Sequence, residues 1–472
     1  MAMASEGGSP RRLPILACDG FMLAMDAMMR RSGQGGHYGG TLIELDRVPE
    51  MPALRVAWQR FVRAYPLVLG RLRRGLPGRV PRWEVPDEVY AEAVPVVELW
   101  HEPGVLGLDG AREVASVAAL CVRRLNLRSE AGGREDALPN VRLDVVQCAG
   151  GGATVVVTWS HLLLDGKGVE LLLTELARFA TGQVDDPMPA TLASASPVKL
   201  SVVQRRERRI AFLRHFRGLM STPFTSLGRG EARAGAANFE VVTLGAAASG
   251  RVRERAGELA SPLMPAPFYL ACAARAHDRV FRGRGLEQPQ VVTMPVQTRP
   301  KGGRGPMFQN HLSMFFVRLE QSDLETVAVA TRAVQAQFGE MMRHRLDQAF
   351  STVQNAMRRL PPRLYMAFLR WQARGEVASF FHSHTGAFAP QLVELAGAKV
   401  LHGYHLPTVC TPPGTGLFVS EWGDEMDVTL SWRGDVIDAA ERGAMVEQFV
   451  ADLVGEAVEV ERRVVIESVS SF

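Results

Sequence analysis

Two β-rich runs, VRLDVVQC and ATVVVTWS, occupy residues 141 to 160 and flank the short segment AGGG. Branched residues favour a pleated strand, and consecutive glycines supply the positive φ angles of a tight connection, so an antiparallel hairpin is predicted. The period then changes. After SHLLLDG, the stretch GVELLLTELARFATG repeats its apolar residues at helical spacing from Gly168 and stops at Gly182. An earlier helix is predicted over 52–65, where Leu54, Trp58, Phe61, Val62 and Tyr65 share one face and Pro66 marks the end.

The second half has the same grammar. Strands are predicted at FEVVTL from Phe239, at VVTMPV (291–296) and at HLSMFFVRL (311–319), followed by a long helix from Leu324 to Arg345. GLFVSEW, the turn GDEM and DVTLSW then form a hairpin, and a last helix runs from Asp438 to about Glu456. Between the halves, 182–200 and 218–238 are rich in Pro, Ser, Ala, Gly and Thr and lack an apolar period. The expected organisation is an N-terminal lobe over 1–181, a crossover linker over 182–238 and a C-terminal lobe over 239–472. Each lobe is an α/β unit of α+β type with a mixed sheet, and no short-period repeat occurs.

Composition narrows the function classes. The chain has 472 residues, 47% of them hydrophobic, enough for two cores. Its net charge is only +4, and the arginines are scattered, which argues against a nucleic-acid partner. The dense basic run RRERRIAFLRHFRG (205–218) reads as a surface helix turning Ile210, Phe212, Leu213 and Phe216 inward. Cys18, Cys121, Cys148, Cys272 and Cys410 are odd in number and never paired as CxxC, so neither disulfides nor zinc are indicated and a reducing, cytoplasmic setting is expected. No stretch reaches 18 uninterrupted apolar residues and MAMASEGGSPRR lacks a signal-peptide core, which leaves at most peripheral membrane contact.

The candidate chemistry sits at the strand–helix junction. His161 leaves the second hairpin strand, and Asp165 and Gly166 follow it in the pattern HxxxDG. Downstream come MPVQTRP (294–300), FQNHLSMFFVRL (308–319), SFFHSHTGAF (379–388), LAGAKVLHGYHLP and GLFVSEWGDEMDVTLSW. In this order the segments resemble the HxxxD acyltransferase superfamily, which includes chloramphenicol acetyltransferase, plant thioester-dependent acyltransferases, bacterial wax ester synthases and nonribosomal peptide condensation domains.

That resemblance implies two chloramphenicol acetyltransferase-like lobes forming a pseudo-dimer around a central tunnel, with His161 at its middle. It implies acyl transfer from a thioester, on coenzyme A or an acyl carrier protein, to a small alcohol or amine, with His161 as general base and no cofactor beyond the thioester co-substrate. The aspartate of the motif turns away from the histidine and pairs with an arginine, for which Arg299 is the counterpart. Asp165 is therefore expected to be structural, a role its place at a helix start also suits. Gly166 is expected to give backbone room, for an unusual φ or for a close substrate. Asn310, Ser383 and Thr385 are candidate oxyanion or substrate contacts. His311, His382 and His384 raise the question of a metal, but His382 and His384 are two apart with no carboxylate or Cys nearby, and none is expected.

The pattern also departs from its relatives. Ser160 stands where many condensation domains and wax ester synthases have a first histidine, LPNVRL (138–143) replaces the PLW segment, and the plant-type DFGWG is missing. A freestanding condensation enzyme acting on a carrier-bound acyl or aminoacyl group is the second reading. A catalytically silent binding module is the third. GGRG (302–305) lies in a Pro-flanked loop and is not a phosphate cradle.

Overall fold

The computed structural model describes residues 11–468 apart from 77, 127–138, 183–200, 230–234, 300–307, 457 and 459. The first part of the expected crossover and the GGRG segment thus lie outside the described residues.

Strands of seven residues or more are numbered β1 (Tyr38–Leu45), β2 (Val141–Gln147), β3 (Ala153–Ser160), β4 (Ala237–Leu244), β5 (Gln290–Gln297), β6 (Leu312–Leu319), β7 (Phe380–Ala387), β8 (Ala398–Leu406), β9 (Thr415–Trp422) and β10 (Glu425–Arg433). Two seven-stranded mixed sheets result. The first runs Glu394–Leu395, β8, β1, β3, β2, Glu98–His101, Arg112–Glu113, and the second runs β6, β5, β7, β9, β10, β4, Arg462–Ile466.

The hairpin over 141–160 forms as its pattern predicts, with Val141 opposite Trp159 and Gln147 opposite Ala153. Gly151 and Gly152 carry its turn at φ +84° and +75°. Every residue of β3 is buried because both sheet faces are covered. Val155 and Val157 point into a core with Leu172, Leu173 and Leu176 of the following helix, while Val156 faces the seam between the lobes beside Phe239 and Val241.

Sequence halves and spatial lobes do not coincide. β8 comes late in the chain, yet it pairs antiparallel with β1 from Val400–Leu45 to Leu406–Gly40 and completes the N-terminal sheet. The expected linker also contains a helix, Val202–Leu219, whose Phe212 and Phe216 pack on Phe316 and Phe350 of the C-terminal lobe. Only part of its expected stripe turns inward: Ile210 and Leu213 remain 46% and 42% exposed. The long helix expected from Leu324 is a short 3-10 turn, Gln321–Leu324, followed by a helix at Val327–Arg343 whose start Thr326 caps through its hydroxyl.

Candidate active site

The chain leaves β3 at Ser160, makes one turn and enters α1, the helix Gly166–Ala180. Asp165 begins that helix, its Oδ1 accepting the Gly168 amide at 2.7 Å. The rest of the carboxylate is also engaged. Arg299 forks onto it with Nη2–Oδ1 at 2.5 Å and Nη1–Oδ2 at 2.9 Å, and the His311 amide donates to Oδ2 at 3.0 Å. A buried carboxylate with this many charge-assisted donors is a fixed strut. It cannot also orient the imidazole.

The glycine that this turn requires is Gly168. A Cβ there would stand 2.0 Å from the Phe308 carbonyl oxygen, whereas a Cβ on Gly166 would meet only His405 and Thr385, at 3.7 and 3.9 Å. Gly166 does not take a positive φ, so of the two uses expected for it the unusual backbone is absent and room for a close substrate is left. What it offers is an uncluttered surface.

Main-chain bonds fix His161. Its amide donates to the His37 carbonyl at 2.9 Å, and its carbonyl accepts from Asn310 Nδ2, also at 2.9 Å. Asn310 donates in addition to Asp19 Oδ1 at 3.1 Å. Both hydrogens of its amide are thus committed, and Asn310 is not part of the cavity wall. The oxyanion contact expected of it is replaced by a positioning one.

The imidazole packs between Trp159, at 5.3 Å edge-on, and His37, whose ring lies 4.6 Å away tilted by 34°. Its Nδ1 is buried without a partner in hydrogen-bonding geometry, which leaves Nε2 as the nitrogen open to the cavity. Burial holds its pKa below the ordinary histidine value, outweighing the pull of the Asp165 carboxylate. His37 is depressed further, by burial first and then by His161 itself. Both shifts favour the uncharged imidazole.

The two lobes enclose a cavity of about 490 Å³. Strand geometry explains why it exists. β5 and β7 pair only at Val292–Phe380 and Thr293–Phe381 and then diverge, and the space between them is lined by Pro295 and Gln297 on one side and Ser383 and Thr385 on the other. His161, Asp165, Gly166, Arg299, Ser383 and Thr385 all border this one cavity. The Thr385 hydroxyl donates to the Val419 carbonyl at 3.3 Å. His384 binds Glu421 at 3.1 Å, and His382 meets the Leu417 carbonyl through Nδ1 while burial lowers its pKa to about 3. Among the described residues, no three His, Cys, Asp or Glu side chains converge as a metal site.

Sequence reasoning missed several wall residues. His37 arrives from the glycine-rich GQGGHYGG, and that clustering of glycine around one histidine was the available signal. Gly39 in the same segment is required, since a Cβ would come within 2.5 Å of the Trp159 ring. Nothing local could have revealed the chain of side chains behind Trp159. Its Nε1 donates to Thr41 Oγ1 at 2.9 Å, Thr41 shares a 2.9 Å bond with His405 Nδ1, and His405 Nε2 meets Glu170 at 3.2 Å. Glu170 in turn takes Lys167 Nζ at 2.6 Å, and these contacts hold its carboxyl below the usual range against burial.

Known structures share this fold over nearly the full chain. A trichothecene 15-O-acetyltransferase of Fusarium sporotrichioides superposes with a TM-score of 0.71 at 11% identity, covering 97% of this chain and 98% of that one. The chain has that fold. The first condensation domain of the calcium-dependent antibiotic synthetase shares it at a TM-score of 0.66 and 17% identity, over 94% and 96% of the two chains. Polyketide synthase associated protein 5 from Mycobacterium tuberculosis shares it at 0.58 and 14%, over 95% and 98%. No family profile and no curated relative matches the sequence. Among the described residues, no helix is long and apolar enough to cross a membrane.

Proposed function

We propose that the protein transfers an acyl group from a thioester to a hydroxyl or amine, with His161 as general base. The observation that carries this reading is a neutral imidazole, fixed through both of its main-chain groups, presenting Nε2 to a cavity shared by two lobes. The likeness in fold to an acetyltransferase and to condensation domains supports it.

In the proposed reaction the acceptor lies against His161 with its O–H or N–H directed at Nε2. As its lone pair forms the new bond to the thioester carbonyl carbon, the proton passes to Nε2, a contribution typically worth about 10²- to 10⁴-fold. The Ser383 hydroxyl, on the facing wall, is the candidate donor to the resulting oxyanion. Collapse breaks the C–S bond, and the imidazolium returns its proton to the departing thiolate. The ring ends neutral, as it began. Asp165 takes no proton in this scheme, because Arg299 and two backbone amides already hold it. No cofactor is called for beyond the thioester co-substrate.

His161→Ala tests the reading: turnover should fall by about 10²-fold or more with the melting temperature and ligand affinity retained. Full turnover in that variant would end it. The condensation-domain likeness favours a second reading in which the donor is loaded on a carrier protein and the product is an amide. Offering the same acyl group on coenzyme A and on a carrier separates the two. A silent binding module would turn over neither.

A further inference from the structure

The cavity has two unlike walls. One carries the polar groups already described. The other is built by the helix Ala17–Arg31, which presents Phe21, Met22 and Met25, and by Leu312 and Met314 of β6 with Phe381 of β7. Behind these, Met28, Met29 and Met366 belong to a buried cluster separate from either lobe core. The two acids of this helix are turned to other duties. Asp19 holds the Leu16 amide and Asn310, and Asp26 holds Arg30 and the His37 amide. The face left to the cavity is wholly apolar. Through Asn310 the same helix is also tied to the His161 carbonyl, so wall and base keep one register.

We propose that this wall binds the acyl part of the donor, and that the acyl group is an aliphatic chain longer than acetyl. The inference rests on the acyl-transfer reading and adds the substrate class. An acetyl group would leave most of that face against water, whereas each buried methylene is worth about fourfold in affinity. Methionine is unbranched and has three rotatable side-chain bonds, so a methionine wall repacks around chains of different length where branched residues would admit one shape. The chain lies along the helix Ala17–Arg31, with its carbonyl carbon at His161.

The test is calorimetric binding of N-acetylcysteamine thioesters of acetate, butyrate, hexanoate and octanoate to the full chain, with no acceptor present. Affinity should rise about fourfold per methylene until the wall is filled, and equal affinity for acetyl and octanoyl donors would overturn the proposal. Met25→Trp, which fills the wall, should weaken octanoyl binding at least tenfold more than acetyl binding. Met22→Ala, which enlarges it, should move the best-bound donor to a longer chain. Should Met25→Trp fail to fold, the wild-type series and Met22→Ala still decide. Binding that follows chain length without turnover removes the acyl-transfer reading and leaves the wall. Turnover with no chain-length dependence does the reverse.

Discussion

The two sides of the cavity solve opposite problems with opposite materials. Around His161, position is over-determined: the residue is bonded at both its N–H and its C=O, and the neighbouring Asp165 is gripped by an arginine fork, a helix-start amide and the amide just before β6. Across the cavity the helix Ala17–Arg31 contributes thioethers and a phenyl ring, groups that make no directional demands. The difference teaches where rigidity is needed. A proton moves over tenths of an ångström and needs a fixed partner, while an apolar guest is held by area and tolerates shape change.

Four experiments would break or sharpen this contrast. The largest effect should come from His161→Ala, with turnover down by about 10²- to 10⁴-fold and an unchanged unfolding curve. A loss of stability in step with activity would mean that the ring is core rather than tool. Arg299→Ala should come next. It strands a nearly buried Asp165 charge and should cost about 3 kcal/mol in denaturant unfolding, and a cost under about 1 kcal/mol, the level of an exposed pair, would show the strut to be ornamental. Third is the pH profile. Burial favours the neutral form of His161, so if it is the proposed base it is already free at pH 7, and kcat/KM should decline only as pH falls below the ordinary histidine value of about 6.5. The stability associated with the neutral ring is lost over the same descending range, because the folded state resists the proton that the unfolded chain accepts. An inflection above 6.5 would assign the titration to another group. Smallest of all, Met25→Leu should change unfolding free energy by less than about 1.5 kcal/mol, and a larger penalty would deny the wall its softness.

What could be read in advance followed the range of the causes. The hairpin over 141–160 and the helix after it were legible because alternation and helical spacing are local and the turn chemistry of Gly151 and Gly152 is explicit. The Asp165–Arg299 pair spans 134 positions and was reachable only through the resemblance of the segments that carry it. For Asn310 the sequence shows that an amide is present, not that its two hydrogens go to Asp19 and the His161 carbonyl. The β8–β1 pairing was invisible for a related reason, since no property of HGYH announces which sheet will accept it. Gly166 drew attention through its motif, but steric need falls on Gly168, two positions along, where the Phe308 carbonyl leaves no room.

Strand β8 has one more consequence. Because the late segment Ala398–Leu406 is stitched into the sheet of the early lobe, neither half of the gene would encode a self-sufficient body. A fragment ending near residue 239 would present the bare hydrogen-bonding edge of β1, an open template for sticking to its own copies. In the whole chain the exchanged strand acts as a clasp. It also carries His405 to Thr41, so the halves are joined within a few ångströms of Trp159 and His161. A strand exchanged in this way ties the two sheets together through main-chain hydrogen bonds beside the cavity, and through a covalent continuity that side-chain packing alone would not supply.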